Sequence, residues 1–245
     1  MSAAPDAPAR PQLPDWDYVS PRPGAGAPAR DLTRSRLAIV LAVALAGAAL
    51  AWLLLGLLGV AAFAASFSGA LVWTVSNSGR GMLRRVRAAP LQRGASPRLA
   101  NVVGGLAPKA GVPAPELWLI EDDAPNALVC FTRRPAIGVT TGLVESFTRT
   151  ELEAVIAHCL VRLATTSTPL ARTMLALSTV SPLFGVPVGD VDDVRTAALT
   201  RYPPALASAV TKATPRRGRG AAFWFVADDA MHVPPAQRAA ALLDL

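Results

Sequence analysis

The stretch ELEAVIAHCLVRLA, residues 151 to 164, holds the side chains with the clearest capacity for chemistry, His158 and Cys159. A histidine can bind a metal ion or move a proton, and a thiolate is a nucleophile. Residues adjacent in sequence do not face each other on a helix, so this pair does not predict a Cys–His nucleophile. Arg162 stands four residues after His158 and is therefore expected on the same helix face.

The helix that positions these side chains is predicted from local signals. Thr148 and Glu151 form a capping box, with Thr150 as an alternative N-cap, and the helix is expected over about 149 to 163. Apolar residues recur at helical spacing along it, at Leu152, Val155, Ile156, Leu160 and Leu163.

The elements around this helix predict a mostly helical α+β domain. Strands are expected at 116–122, 128–131 and 136–143, and helices at 97–110, 190–199, 202–212 and 237–243. The apolar segment 173–188, which Pro182 and Pro187 interrupt, predicts a buried helix or a segment that dips into a membrane interface.

A membrane anchor is predicted upstream of this domain. The composition is 52% hydrophobic and 17% charged, and no charged residue occurs from 37 to 75. A single helix of that length would be about twice as long as the hydrocarbon layer is thick, which favours a two-helix hairpin. The turn would lie near 56–59 or 66–69, and the alternative is one long tilted helix. The run is too long, and starts too far into the chain, for a signal peptide.

The charges that flank this apolar run indicate its orientation. Three arginines and Asp31 precede the run, and six arginines follow it, at Arg80, Arg84, Arg85, Arg87, Arg93 and Arg98. The positive-inside rule then places residues 80–245 in the cytoplasm, whether the anchor is a hairpin or one helix. We expect a Pro/Ala-rich disordered segment at 1–36, a transmembrane segment at 37–76 and a cytoplasmic domain at 80–245, in the cell (inner) membrane.

The net charge of +7 does not predict a nucleic-acid partner. The charge comes from arginine, basic and aromatic residues do not interleave, and no nucleic-acid-binding motif occurs. Cys130 and Cys159 form neither a disulfide framework nor a C-x-x-C pair, so reduced thiols are expected.

Four consecutive pieces of the chain resemble one protein family. They are the membrane anchor, PNALVCFTRRPAIGVTTGLVESFTRTELEAVIAHCLVRL, DVDDVRTAALTRYPPALASAV, and FWFVADD with HVPPAQRAAAL. Together, over about 37–243, they resemble the HtpX-like membrane zinc metallopeptidases, relatives of the CAAX prenyl proteases. That family carries E-L-x-x-V-[IL]-A-H-E-x-x-H on a helix, E-x-x-x-D on a later helix, and a closing H-P-x-x-x-x-R-I. The resemblance implies a zincin-like domain in which two histidines and a carboxylate bind zinc and a glutamate acts as general base.

The chain departs from this pattern at each step of the implied chemistry. His158 matches the first ligand, Cys159 stands at the general base, and Arg162 stands at the second ligand. A guanidinium has no lone pair to give a metal and stays protonated. For the third ligand, Gly189 stands where the glutamate is expected and Asp193 matches the aspartate, while a shift of register would bring in Asp190 or Asp192. Only His158 is then a candidate metal ligand, and we expect no bound cofactor.

We hypothesise that Arg162 replaces the charge of the metal by pairing with an acid among Asp190, Asp192 and Asp193. A lone helical histidine such as His158 is more often structural than a ligand. Asn126 reads as turn chemistry, although the corresponding region of the family borders the substrate cleft, so a retained groove is an alternative. No catalytic residue is expected.

The chain is therefore predicted to be a membrane-anchored, catalytically inactive relative that acts through protein or peptide binding. Its partner would be a peptide, a membrane protein or an active paralogue. One alternative is an active zinc metalloendopeptidase of membrane protein quality control, with ligands recruited from elsewhere, such as His232. The other is a structural module. An open cleft at His158 would favour binding, and a cleft filled by side chains would favour the structural module.

Overall fold

The computed structural model describes residues 27–92, 94–181, 184, 188–229 and 232–245. Side chains are described from residue 38 onwards, except that of Asp190. Residues 1–26 of the predicted disordered segment, and both Pro182 and Pro187, lie outside the described residues.

The first helix, α1 (Ala27–Arg85), begins upstream of the predicted membrane segment. Residues 27–36 are helical, which differs from the disorder predicted over 1–36. Pro28 lies in the first turn, where proline is tolerated, and no glycine or proline between 31 and 36 ends the helix.

The chain reverses direction within α1, at Gly56. The φ of 62° and ψ of −149° at Gly56 are not helical, and glycine adopts positive φ without a side-chain clash. Gly47 and Phe63 lie so close together that a Cβ on Gly47 would overlap the Phe63 ring. A straight helix would hold these residues about 24 Å apart. The two arms of α1 therefore run antiparallel as a helical hairpin.

The apolar surface of this hairpin is largely exposed. Taken as one helix, Ala38–Arg85 is long and apolar enough to cross a membrane, with a window of mean hydropathy 2.6. Leu53 and Leu58 are 80% and 83% exposed. A continuous apolar surface of this kind is expected to contact lipid.

A small mixed sheet follows, with strand order β1-β2-β4-β3. Strands β2 and β4 are parallel and the other pairs are antiparallel. Its strands are β1 (Ala89–Pro90), β2 (Glu116–Ile120), β3 (Ala127–Phe131) and β4 (Pro135–Thr140). The last strand is shorter than predicted, because Thr140 caps a short helix by accepting a hydrogen bond from the Leu143 amide.

The remaining described helices are α2 (Pro97–Leu106), α3 (Thr141–Ser146), α4 (Arg149–Thr165), α5 (Pro169–Leu177), α6 (Asp190–Thr200), α7 (Pro203–Lys212) and α8 (Pro235–Leu243). Helix α4 lies at the centre, against α2, β3, α6 and α7. Both hydrogen bonds of the capping box predicted at Thr148 and Glu151 are present. The predicted mostly helical α+β fold is confirmed.

Candidate functional site

His158 lies in the middle of α4 and is completely buried. Its Nδ1 is 3.2 Å from Oδ1 of Asp193 on α6. The edge of the Phe225 ring faces it, with 4.9 Å between ring centroids. Neither ring nitrogen has a well-formed hydrogen bond among the described residues. Burial lowers the pKa of His158, against the opposing effect of Asp193, so the imidazole is neutral at neutral pH.

Asp193 is held by an arginine that sequence reasoning did not select. Nε and Nη2 of Arg238, on α8, donate to the two carboxylate oxygens of Asp193 over 2.8 and 2.7 Å. Nη1 of Arg238 donates to the Phe225 carbonyl over 2.9 Å. Burial alone would raise the pKa of Asp193, but the hydrogen bonds and positive charge of Arg238 hold it well below its usual range. The arginine of the H-P-x-x-x-x-R pattern was the signal that could have identified Arg238.

Arg162 does not pair with Asp193, so this part of the predicted charge replacement is wrong. Its side chain is 1% exposed, and its Nη2 donates to the carbonyl of Ala222. Its Nε and Nη1 have no hydrogen-bond partner among the described residues. Burial lowers its pKa to about 10, which still leaves the guanidinium charged at neutral pH. The bidentate contact with Arg238 already occupies both oxygens of Asp193.

The other two predicted acidic partners of Arg162 are Asp192 and Asp190. Asp192 is buried and acts on Arg162 as a nearby negative charge, without an ion pair within 4.0 Å. Asp190 begins α6, and its side chain lies outside the described residues.

The position of the implied third ligand is closed by packing. Gly189 precedes α6, and a Cβ built there would lie 2.6 Å from Cγ2 of Val233. Real Cβ atoms essentially never approach another heavy atom that closely, so a glutamate at this position would require Val233 to move.

Cys159, at the general-base position, is 1% exposed. Burial raises its pKa to about 12, so the thiol stays protonated and can neither accept a proton as a carboxylate would nor act as a nucleophile. Cys130 is also a free buried thiol.

The residues that resemblance assigns to a zinc site do not fit a zinc ion. Of the three ligand positions, His158 alone offers a lone pair, since Arg162 is a cation and Gly189 has no side chain. In the described ranges, no three His, Cys, Asp or Glu side chains converge on a point that could hold a metal. His232 does not replace a ligand, because its Nδ1 lies 2.9 Å from Asp229 and its Nε2 lies 3.0 Å from the Trp224 carbonyl.

Residues 221–227, which we call the covering segment, contact both the edge strand β3 and helix α4. All seven of its residues are buried. Its Phe225 amide donates to the Ala127 carbonyl over 2.7 Å, and Trp224 forms a bridge with Leu128. Phe225 contacts His158, and the Ala222 carbonyl accepts from Arg162, so the same segment also contacts α4.

Asn126 holds the covering segment in place through hydrogen bonds. Its Nδ2 donates to the carbonyls of Val226 and Thr214 over 2.8 and 2.7 Å, and its side chain is fully buried. Asn126 therefore does not line an open groove, in contrast to the alternative predicted from its place in the sequence.

A mixed sheet packed on a buried helix, with His158 facing an acid from a later helix, places the domain in the zincin-like metallopeptidase class. Residues 94–161 match the model of peptidase family M48. This match and the relatives that follow support membership of the HtpX-like family.

The relatives are curated proteins described as protease HtpX homologues. The chain is 42% identical to that of Acidiphilium cryptum over 100 residues, which are 40% of this chain and 33% of the relative. It is 37% identical to that of Leuconostoc mesenteroides over 121 residues, or 47% of this chain and 41% of the relative. It is 40% identical to that of Thermococcus sibiricus over 75 residues, or 29% and 25%. The aligned part thus spans less than half the length of each of these relatives.

Proposed function

We propose that this protein is a membrane-anchored, non-hydrolytic member of the HtpX-like family that acts through protein binding. One observation carries the proposal: the three positions that would hold zinc are a buried histidine, a buried arginine and a glycine closed by Val233. The general-base position holds a protonated thiol, so neither the metal nor the base is supplied by these residues.

The covering segment, which packs against His158, restricts where a partner could bind. Peptides can bind an open sheet by adding a strand to an exposed edge. In this chain the covering segment already occupies part of the β3 edge next to α4. The filled site at His158 therefore favours the structural module over capture of a peptide there, and a protein partner would have to bind the exterior of the domain.

We also propose that the hairpin crosses the membrane twice and leaves the domain in the cytoplasm. The reversal at Gly56 divides the apolar run into two arms of similar length. The arginines that follow α1 support cytoplasmic placement through the positive-inside rule.

The test is the zinc content of the full chain, purified in detergent without a metal-affinity tag, with His158→Ala as the matched control. We expect zinc far below one ion per chain in both proteins, and no chelator-sensitive cleavage of a denatured protein substrate. About one zinc per chain that is lost in His158→Ala, together with chelator-sensitive cleavage, would instead establish the active peptidase with relocated ligands.

A further inference from the structure

A cavity of about 320 Å³ lies where the end of α1 meets the sheet. None of its lining residues belongs to the His158 site. The lining side chains that matter for its chemistry are Arg80, Arg84, Glu116, Trp118, Thr132 and Arg133.

The cavity has an excess of positive charge. Arg80 and Arg84 are one helical turn apart and therefore project from the same face of α1. Arg133 reaches the cavity from the turn between β3 and β4. Glu116 is the one acidic residue in the lining, and its Oε2 accepts from the Thr132 hydroxyl over 3.1 Å. Within the described ranges, none of the three arginines forms an ion pair.

The three guanidinium groups carry the chemistry of the cavity. Each has a fixed positive charge and several N–H donors, and together they form a set suited to phosphate oxygens.

The position of the cavity identifies the source of the phosphate. The apolar run of α1 ends at Val75, and Arg80 lies about 7 Å further along the helix axis. The headgroup layer begins at the edge of the hydrocarbon core and is about 5 to 8 Å thick. Gly79 packs directly on the backbone of Phe131, so the sheet reaches α1 at the same depth.

We propose that this cavity binds the phosphate of an anionic phospholipid headgroup. Arg80, Arg84 and Arg133 neutralise the phosphate, and their position at headgroup depth distinguishes a lipid from a soluble phosphate of the same chemistry. A bound headgroup would fix the orientation of the domain on the membrane. The inference rests on the proposed membrane-spanning hairpin but not on the loss of hydrolysis, since an active peptidase with this anchor would bind the lipid equally.

The test uses the full chain, delipidated in detergent and mixed with equal amounts of phosphatidylglycerol and phosphatidylcholine that carry identical acyl chains. Native mass spectrometry measures the ratio of the two lipids that stay bound. We expect phosphatidylglycerol to be preferred. Each arginine replaced should reduce the preference about fivefold, so Arg80→Gln, Arg84→Gln and Arg133→Gln together should abolish most of it.

The matched control removes the same charge elsewhere, through Lys109→Gln, Arg149→Gln and Arg195→Gln. These side chains are exposed and do not line the cavity, so the control should keep the lipid preference. Equal retention of the two lipids by the parent protein, or an equal loss of preference in both triple variants, would overturn the proposal. Thermal stabilisation by inorganic phosphate without any lipid preference would assign the cavity to a soluble phosphate instead, and would also overturn it.

Discussion

Arg162 and Arg238 are both buried arginines of the site, but methionine should be much more destabilising at Arg238 than at Arg162. Arg238 is 1% exposed and makes a bidentate contact with Asp193. Arg238→Met would leave that carboxylate buried without its cation. Removal of one partner of a buried ion pair costs about 3 to 5 kcal/mol. At about 2 to 4 °C per kcal/mol for a domain of this size, the melting temperature should fall by roughly 6 to 20 °C.

Arg162→Met removes a different kind of group. The lost hydrogen bond leaves the Ala222 carbonyl unpaired in the interior, which costs about 1 to 3 kcal/mol. The same change removes a buried charge that has no ion pair among the described residues, and apolar replacement of buried charges often stabilises by about 1 to 4 kcal/mol. The two effects nearly cancel, so the melting temperature should change by less than about 4 °C.

The assay is thermal unfolding of the detergent-solubilised full chain, followed by tryptophan fluorescence. Asp193→Asn, alone and with Arg238→Met, completes a double-mutant cycle, which should give a coupling energy of at least about 2 kcal/mol. A loss on Arg162→Met as large as that on Arg238→Met would refute the reasoning. It would mean that Arg162 carries an essential ion pair, as the original hypothesis of charge replacement requires.

Three further predictions concern the site and the anchor. The pKa of His158 is lower in the folded state than its unfolded value of about 6.5. The contribution of His158 to the free energy of unfolding is therefore favourable above that pH and is lost as the pH falls. His158→Asn should reduce the pH dependence of the unfolding free energy below pH 6.5, by up to about 1.4 kcal/mol per pH unit. Cys159→Glu with Arg162→His should still bind far less than one zinc per chain, because the third ligand position stays closed; equilibrium metal analysis that finds a stoichiometric ion would contradict this. Gly47→Cys with Phe63→Cys should be crosslinked by a bifunctional thiol reagent much shorter than about 24 Å, seen as a mobility shift, because the two arms are in contact. A continuous helix would hold the two thiols about 24 Å apart, beyond the reach of the reagent.

The elements that the sequence predicts well are those whose signals are local. The start of α4 follows from Thr148 and Glu151, which are close in the chain, and both capping hydrogen bonds are present. The α+β class follows from elements of this kind. The strand β1 has only two residues and is stabilised by its pairing with β2, so no local periodicity could reveal it.

The site was less predictable because its partners are far apart in the chain. Asp193 lies 45 residues before Arg238 and 35 after His158, and the sequence offers two arginines, Arg162 and Arg238, for the same acid. Which arginine reaches the acid depends on how α8 packs against α6. The lack of space for a side chain at Gly189 depends likewise on Val233, an apolar residue that gives no signal of a functional role in the sequence.

The arrangement around Asp193 also explains how a zincin-like domain could keep its shape without metal ligands. A zinc ion would link α4 to α6, and here Asp193 makes that link through its approach to His158 and extends it to α8 through Arg238. The covering segment adds a second connection, since it contacts β3 through Phe225 and α4 through the Ala222 carbonyl. Neither connection requires a complete set of metal ligands. The melting temperatures of the Arg238→Met and Arg162→Met variants measure how much each buried arginine contributes to these connections.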